Sequence, residues 1–128
     1  MSLKVKSFIL SIAFIPLAII GQILGKVISS FSCNLLSIPG VIYITSIIAG
    51  ITGGWLSALT MNNFDEFDKK TLLIFPVLFF VIQAGSFVYF GLFEGFFSHP
   101  RYIMGVLQST LTIILFLKMI RDGSSIHP

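Results

Sequence analysis

Charged residues are scarce in this sequence. Its 128 residues include 8 Lys or Arg and 5 Asp or Glu, so that 10% of the chain is charged, against about 25% in an average soluble domain. Hydrophobic residues make up 55% of the chain, and the mean hydropathy is +1.00. A soluble protein of this size buries too little surface to hide so many apolar side chains. The composition therefore predicts an integral membrane protein and argues against a cytosolic enzyme.

Residues that carry metal, redox or nucleophilic chemistry are also few. Cys33 is the only cysteine, which excludes an internal disulfide. The histidines His99 and His127 are predicted on opposite sides of the membrane, and no histidine lies within an apolar run to ligate haem. No serine has an intramembrane His or Lys placed to activate it. We therefore predict no enzymatic activity, no cofactor and no metal site.

Four apolar runs are long enough to cross a bilayer, which requires about 20 helical residues. They are separated by a Pro39-Gly40 turn, by a polar loop that ends at Lys70, and by Ser98-His99-Pro100-Arg101. We predict an all-α integral membrane protein, with residues 1–128 forming a single four-transmembrane-helix bundle. The predicted spans are about 7–25, 41–61, 71–97 and 102–120.

The basic residues predict the orientation of the bundle. Four spans place both termini on one side, and that side carries Lys4, Lys6, Lys69, Lys70, Lys118 and Arg121. The other side carries only Lys26 and Arg101. Basic flanks remain in the cytoplasm, so we predict cytoplasmic termini in a bacterial inner (plasma) membrane. The basic residues form no patch, and no nucleic-acid partner is expected.

Pairs of small residues four positions apart predict where helices approach one another, because such residues share a helix face. The pairs occur in three spans and comprise Gly21 and Gly25, then Gly50, Gly54 and Ala58, then Gly91 and Gly95. Packing within the bundle is one interpretation. A homodimer seam on Gly50, Gly54 and Ala58 is the other.

Glu94 is the only acidic residue inside a predicted span. Gln83 lies eleven residues earlier, almost three whole turns, so the two side chains share one helix face. Lys26, His99 and Arg101 are predicted on the same side of the membrane as Glu94. Glu94 is either an interfacial anchor paired with Arg101 or Lys26, or a proton- or cation-responsive site with Gln83 deeper on the same path.

Two further amides lie in predicted spans. Gln22 precedes Lys26 by one turn and is expected to accompany it toward the interface. Gln108 is followed by Ser109 and Thr112, whose hydroxyls can bond back to helix carbonyls. The expected role of both amides is interhelical hydrogen bonding, worth about 0.6 kcal/mol each. A pore-lining role for these amides is the alternative.

The leading functional prediction is non-catalytic, because the arrangements typical of catalysis and transport are absent from the sequence. The chain is expected to bind another protein in the membrane, as an accessory subunit or an immunity- or exclusion-type protein. A cluster of aromatic residues near Glu94 is a candidate docking surface: Phe90, Phe93, Phe96 and Phe97. Expected partners are the lipid bilayer and a membrane protein, with a homo-oligomer as a further option. The alternative function is a small oligomeric transporter or channel that uses Glu94.

Overall fold

A computed structural model describes residues 2–63, 67–95 and 97–120 of the chain. These residues form five helices and no strand: α1 Leu3–Leu36, α2 Val41–Met61, α3 Lys69–Leu72, α4 Ile74–Glu94 and α5 Pro100–Met119. Four helical segments are long and apolar enough to cross a membrane: Leu3–Leu36, Val41–Met61, Lys70–Glu94 and Pro100–Met119. The predicted all-helical class with four apolar helices is thus confirmed. Phe96, Arg121 and His127 lie outside the described residues.

The first helix is longer than the predicted span of residues 7–25. Nothing stops α1 after Gly25, because residues 26–36 contain neither glycine nor proline. The helix ends where Ser37 adopts a left-handed conformation with φ 55°. The N–H of Ile38 then donates to the Cys33 carbonyl at 2.9 Å. This is the bond of a Schellman cap that spans more residues, from C″ to C3. Lys26 therefore lies inside a helix and not in a loop.

A break at Leu73 separates the short helix α3 from α4. Pro76 explains this break, because proline has no N–H to bond the Leu72 carbonyl and its ring clashes with that carbonyl in a continuous helix. Pro76 is instead accommodated in the first turn of α4, where the backbone N–H groups have no partner within the helix.

The turn between α4 and α5 begins earlier than predicted. α4 ends at Glu94, before the predicted boundary at Phe97, because Gly95 turns the chain at φ 93°. Gly95 therefore lies in the turn and does not share a helix face with Gly91. α5 begins at Pro100, a residue whose fixed φ suits the first turn of a helix.

The four long helices form a ring in the order α1, α2, α5, α4, with α4 returning to α1. At one end, here called the terminal end, lie the start of α1, the end of α5 and the α2–α4 connection. There the Asn62 side chain donates to the Met119 carbonyl at 2.9 Å, and the Asp68 N–H donates to Ser7 Oγ at 2.5 Å. The opposite end, here called the turn end, holds the α1–α2 and α4–α5 turns.

Two glycines of α1 bring its backbone against α2. A Cβ atom at Gly21 would lie 2.7 Å from the Gly53 Cα, and one at Gly25 would lie 3.0 Å from the Ala49 Cα. Real Cβ contacts are longer than this, so a side chain at either position would push the helices apart. Gly53, which sequence reasoning did not single out, belongs to the same contact.

On α2, a second glycine face lies against α5. A Cβ atom at Gly50 would lie 2.8 Å from the Gln108 carbonyl oxygen, and one at Gly54 would lie 2.5 Å from the Thr112 carbonyl oxygen. Ala58 is fully buried. The face considered as a homodimer seam therefore contacts α5 of the same chain at Gly50 and Gly54.

The apolar core lies toward the terminal end. Phe14 packs edge-to-face against Phe116, with 4.7 Å between ring centroids, and against Phe79, with 5.7 Å. Phe67 and Leu72 from the α2–α4 connection are fully buried beside them. The connection therefore closes this end of the bundle with apolar side chains.

Two serines, one turn apart on α1, hold the α2–α4 connection in place. Ser7 Oγ accepts the Asp68 N–H at 2.5 Å, and Ser11 Oγ accepts the Phe75 N–H at 2.9 Å. Both serines are fully buried, and both donors lie at helix starts, where backbone N–H groups have no intrahelical acceptor. Sequence reasoning did not identify this role, because the acceptors and donors are far apart in the chain.

Candidate functional site

Side chains and backbone from all four long helices meet in one hydrogen-bonded group, here called the central polar cluster. The side-chain amides of Gln22 in α1 and Gln83 in α4 form two reciprocal hydrogen bonds, of 3.2 and 2.8 Å. Gln22 Nε2 also donates to Thr112 Oγ1 of α5 at 2.9 Å. The Thr112 hydroxyl lies 3.0 Å from each of two carbonyl oxygens, that of Gly50 in α2 and that of Gln108 in its own helix. The cluster therefore connects all four long helices.

Room for this cluster comes from Gly53. A Cβ atom there would lie 2.8 Å from Gln22 Cγ and 3.2 Å from Thr112 Oγ1. Gln22 is buried, so the expectation that it accompanies Lys26 toward the interface is wrong. The sequence signal for this burial was the position of Gln22, which follows Gly21 and lies four residues after Ala18. Ala18 is buried on the same side of α1.

Gln108 lies elsewhere on α5. It is buried, and its backbone packs against Gly50 at the α2–α5 contact. Its carbonyl oxygen lies 3.0 Å from the Thr112 hydroxyl, one turn later in the same helix. The residue therefore touches the central polar cluster through its backbone.

A second polar group, here called the turn-end cluster, lies where α4 and α5 approach their shared turn. Arg101 Nη2 forms an ion pair with Glu94 Oε2 at 2.6 Å, and the two side chains are 58% and 51% exposed. Tyr102, which is buried, donates its hydroxyl to the same Glu94 oxygen and accepts from Arg101 Nη2 at 3.0 Å. His99 packs edge-to-face against Tyr102, with 6.2 Å between ring centroids.

The predicted pairing of Glu94 with Arg101 is thus present in the structure, whereas Tyr102 was not predicted. Nothing in the sequence marks Tyr102 beyond its position next to Arg101. The contact forms because Gly95 reverses the chain, which returns the first turn of α5 to the last turn of α4. Lys26 lies on the exposed surface of α1 and makes no ion pair with the described residues.

A groove of about 430 Å³ adjoins the turn-end cluster. Among the described residues, its walls come from α4 and α5: Ser86, Phe87, Phe90, Glu94, Arg101 and Tyr102. Its deeper wall includes Phe87, whose ring lies over Gly105, where a Cβ atom would be within 2.4 Å of it. The groove thus combines two opposite charges with aromatic surface.

Gln83 and Glu94 form hydrogen bonds in two different clusters. Gln83 is bonded to Gln22 in the bundle interior, whereas Glu94 is bonded to Arg101 and Tyr102 at the turn end. The groove reaches from Glu94 to Ser86, and Gln83 does not line it. Among the described residues, no group of three or more His, Cys, Asp or Glu side chains could hold a metal ion.

Comparison of the chain with protein-family models, with curated proteins and with solved structures finds no match.

Proposed function

We propose that this protein acts non-catalytically, by binding another membrane protein through the surface of α4. The observation that carries the proposal is the poor burial of that helix. In an apolar stretch of 18 residues within the segment Lys70–Glu94, which contains α4, 11% of the residues are buried. The corresponding share in the other three long apolar helices is 39–44%. In lipid, helices associate by close packing and not by the hydrophobic effect. Most of α4 therefore remains available for packing against another protein.

The side of α4 that points away from the bundle has the shape of a helix-docking surface. Val81, Val88 and Leu92 are exposed there, and Gly85 lies between them with no atom within 4 Å of a Cβ placed on it. Glycine in the middle of a helix is unfavourable by roughly 1 kcal/mol relative to alanine. Gly85 makes no compensating contact within the described residues, whereas a partner helix could pack closely on it.

Site-specific photo-crosslinking would test this proposal in intact membranes. A photoreactive residue at Val81 or Leu92 should give a discrete protein adduct of one size. The matched control is Ile23, which is 55% exposed on α1 and should react with lipid alone. Equal protein adducts from Ile23 and Val81, or none from α4, would contradict the proposal. Purification of the adduct in mild detergent, followed by mass spectrometry, would identify the partner.

The alternative is a small transporter or channel with Glu94 as its polar site. It is supported by a groove that contains Glu94 and opens at the turn end. It is weakened by Gln22 and Gln83, which are bonded to each other and so do not line that groove. Flux in proteoliposomes that disappears with Glu94→Gln, while expression and folding stay normal, would establish the transport function instead.

We also propose that the terminal end faces the cytoplasm of a bacterial inner membrane. Lys4, Lys6 and Lys118 lie near this end in the helices, and the turn end carries Arg101. Lys26 is inside α1, so it adds little positive charge to the loops at the turn end. Basic flanks remain cytoplasmic, which places the terminal end on that side. Cys33 is buried, so accessibility labelling requires introduced cysteines.

In a Cys33→Ser background, a cysteine at Asn63 should react with a membrane-impermeant reagent only after the cells are opened. A cysteine at Ser98, which is exposed at the turn end, should react in intact cells. The reverse pattern would overturn the orientation.

A further inference from the structure

We infer that the groove between α4 and α5 binds a phospholipid with a zwitterionic headgroup, its phosphate on Arg101 and its ammonium on Glu94. The inference is independent of the proposed protein partner, because the groove lies between α4 and α5 whereas the proposed docking surface lies on the opposite side of α4.

Both charges of the groove retain unused bonding capacity. Arg101 makes its bonds to Glu94 and Tyr102 through Nη2 alone, and the guanidinium offers three more N–H groups, on Nη1 and Nε. Glu94 accepts both of its bonds at Oε2, and Oε1 makes no hydrogen bond to the described residues. Each side chain is more than half exposed. A ligand can therefore bind both groups without displacing the ion pair.

The pairing of opposite charges selects the class of ligand. A simple anion would be attracted by Arg101 and repelled by Glu94, and a simple cation would experience the reverse. A headgroup that carries phosphate and ammonium presents one charge to each, and charge-assisted bonds are the stronger class of hydrogen bond. Guanidinium groups also match the geometry of phosphate oxygens.

The remaining walls suit the apolar part of the same molecule. Phe90, 57% exposed, and Phe87 extend the groove from the charged end toward the middle of α4. The volume of about 430 Å³ lies within the range of small-molecule sites, which is roughly 300–1,000 Å³. The charges lie at the end of two spanning helices, which is where lipid headgroups are found.

Native mass spectrometry would test the assignment. The purified full chain in dodecylmaltoside receives equal amounts of phosphatidylethanolamine and phosphatidylglycerol with identical acyl chains. The wild type should retain the ethanolamine lipid in preference by about threefold or more, since only that lipid offers a cation to Glu94. Glu94→Gln should bring the two adducts to near parity, and Arg101→Gln should lower both.

Lys26→Gln is the matched control, because Lys26 is an exposed cation of α1 that does not line the groove. It should keep the wild-type lipid preference. Arg101→Lys keeps the charge but loses the guanidinium geometry, so it should retain less of both lipids than the wild type. This comparison with the wild type remains informative if Arg101→Gln fails to fold.

Equal retention of both lipids by the wild type would overturn the inference, as would a Glu94→Gln variant with unchanged preference. Competition with soluble glycerophosphoethanolamine provides a further test. This soluble compound should displace the lipid only in large excess, because it cannot contact Phe87 and Phe90. Displacement at equimolar concentration would assign the groove to a free headgroup compound and would overturn the lipid assignment.

Discussion

The two ends of the bundle differ in how they are closed. At the terminal end, Phe14, Phe67 and Phe116 are fully buried, and the α2–α4 connection covers the helices. At the turn end, Phe90 is 57% exposed and Phe93 is 75% exposed, and the helices flank a groove with an ion pair. The comparison indicates that packing at the terminal end stabilises the bundle, while the turn end carries surface suited to binding. The central polar cluster lies between the two.

The largest effect is expected where a side chain would separate the α2 and α5 backbones. Gly54→Leu should destabilise the bundle by about 3 kcal/mol or more, because overpacking a close contact forces backbone movement. Gly85→Leu is the control, since its Cβ meets open space and leucine favours helix. Reversible unfolding in mixed micelles would compare the two variants. Equal stabilities would contradict the packing of α2 against α5.

The contrast between the ends can be tested with one type of substitution. Phe14→Ala removes a fully buried ring that contacts Phe79 and Phe116. It should lower the free energy of unfolding by about 3 kcal/mol through the cavity it leaves. Phe93→Ala, at an exposed position of the turn end, should have little effect in the same measurement. If Phe93→Ala were the more destabilising, the stabilising core would not lie at the terminal end.

A smaller effect is expected at the central polar cluster. Gln22→Leu removes the hydrogen bonds to Gln83 and Thr112, and it should destabilise the protein by about 1 kcal/mol, as for other interhelical bonds in membranes. Ser86→Ala is the control, because among the described residues its hydroxyl bonds only the carbonyl of Ile82 in its own helix. A double-mutant cycle of Gln22→Leu with Gln83→Leu should show coupling. Strict additivity would mean that the two amides do not interact.

The smallest effect on folding is expected at the turn-end cluster. Glu94→Gln should leave the free energy of unfolding close to that of the wild type, because exposed ion pairs contribute little and are screened by salt. Any difference should shrink as the salt concentration rises. A large loss of stability that salt does not change would show that this cluster supports the fold. The turn end would then resemble the terminal end.

The sequence predicted contacts between residues close together in the chain better than contacts between residues far apart in it. The helix class and the four apolar helices follow from composition and run length. The α4–α5 turn was predicted at residues 98–101, whereas it begins at Gly95, a residue predicted to lie inside the helix. A pairing of Glu94 with Arg101 or Lys26 was predicted because these residues lie on the same side of the membrane, and the structure has the pair with Arg101. The pairing of Gln22 with Gln83 was not predicted, because it joins helices that are distant in the chain.

The sequence by itself determined the elements that depend on local chemistry. Apolar side chains specify helices long enough to span a membrane, and glycine or proline marks some of their ends. Small residues mark faces where the backbones of two helices can approach each other. Only the tertiary structure decided which faces meet, how the two polar clusters are composed, and that one end is filled while the other holds a groove. These features depend on the rotation and register of each helix relative to its neighbours, and no single helix encodes that information.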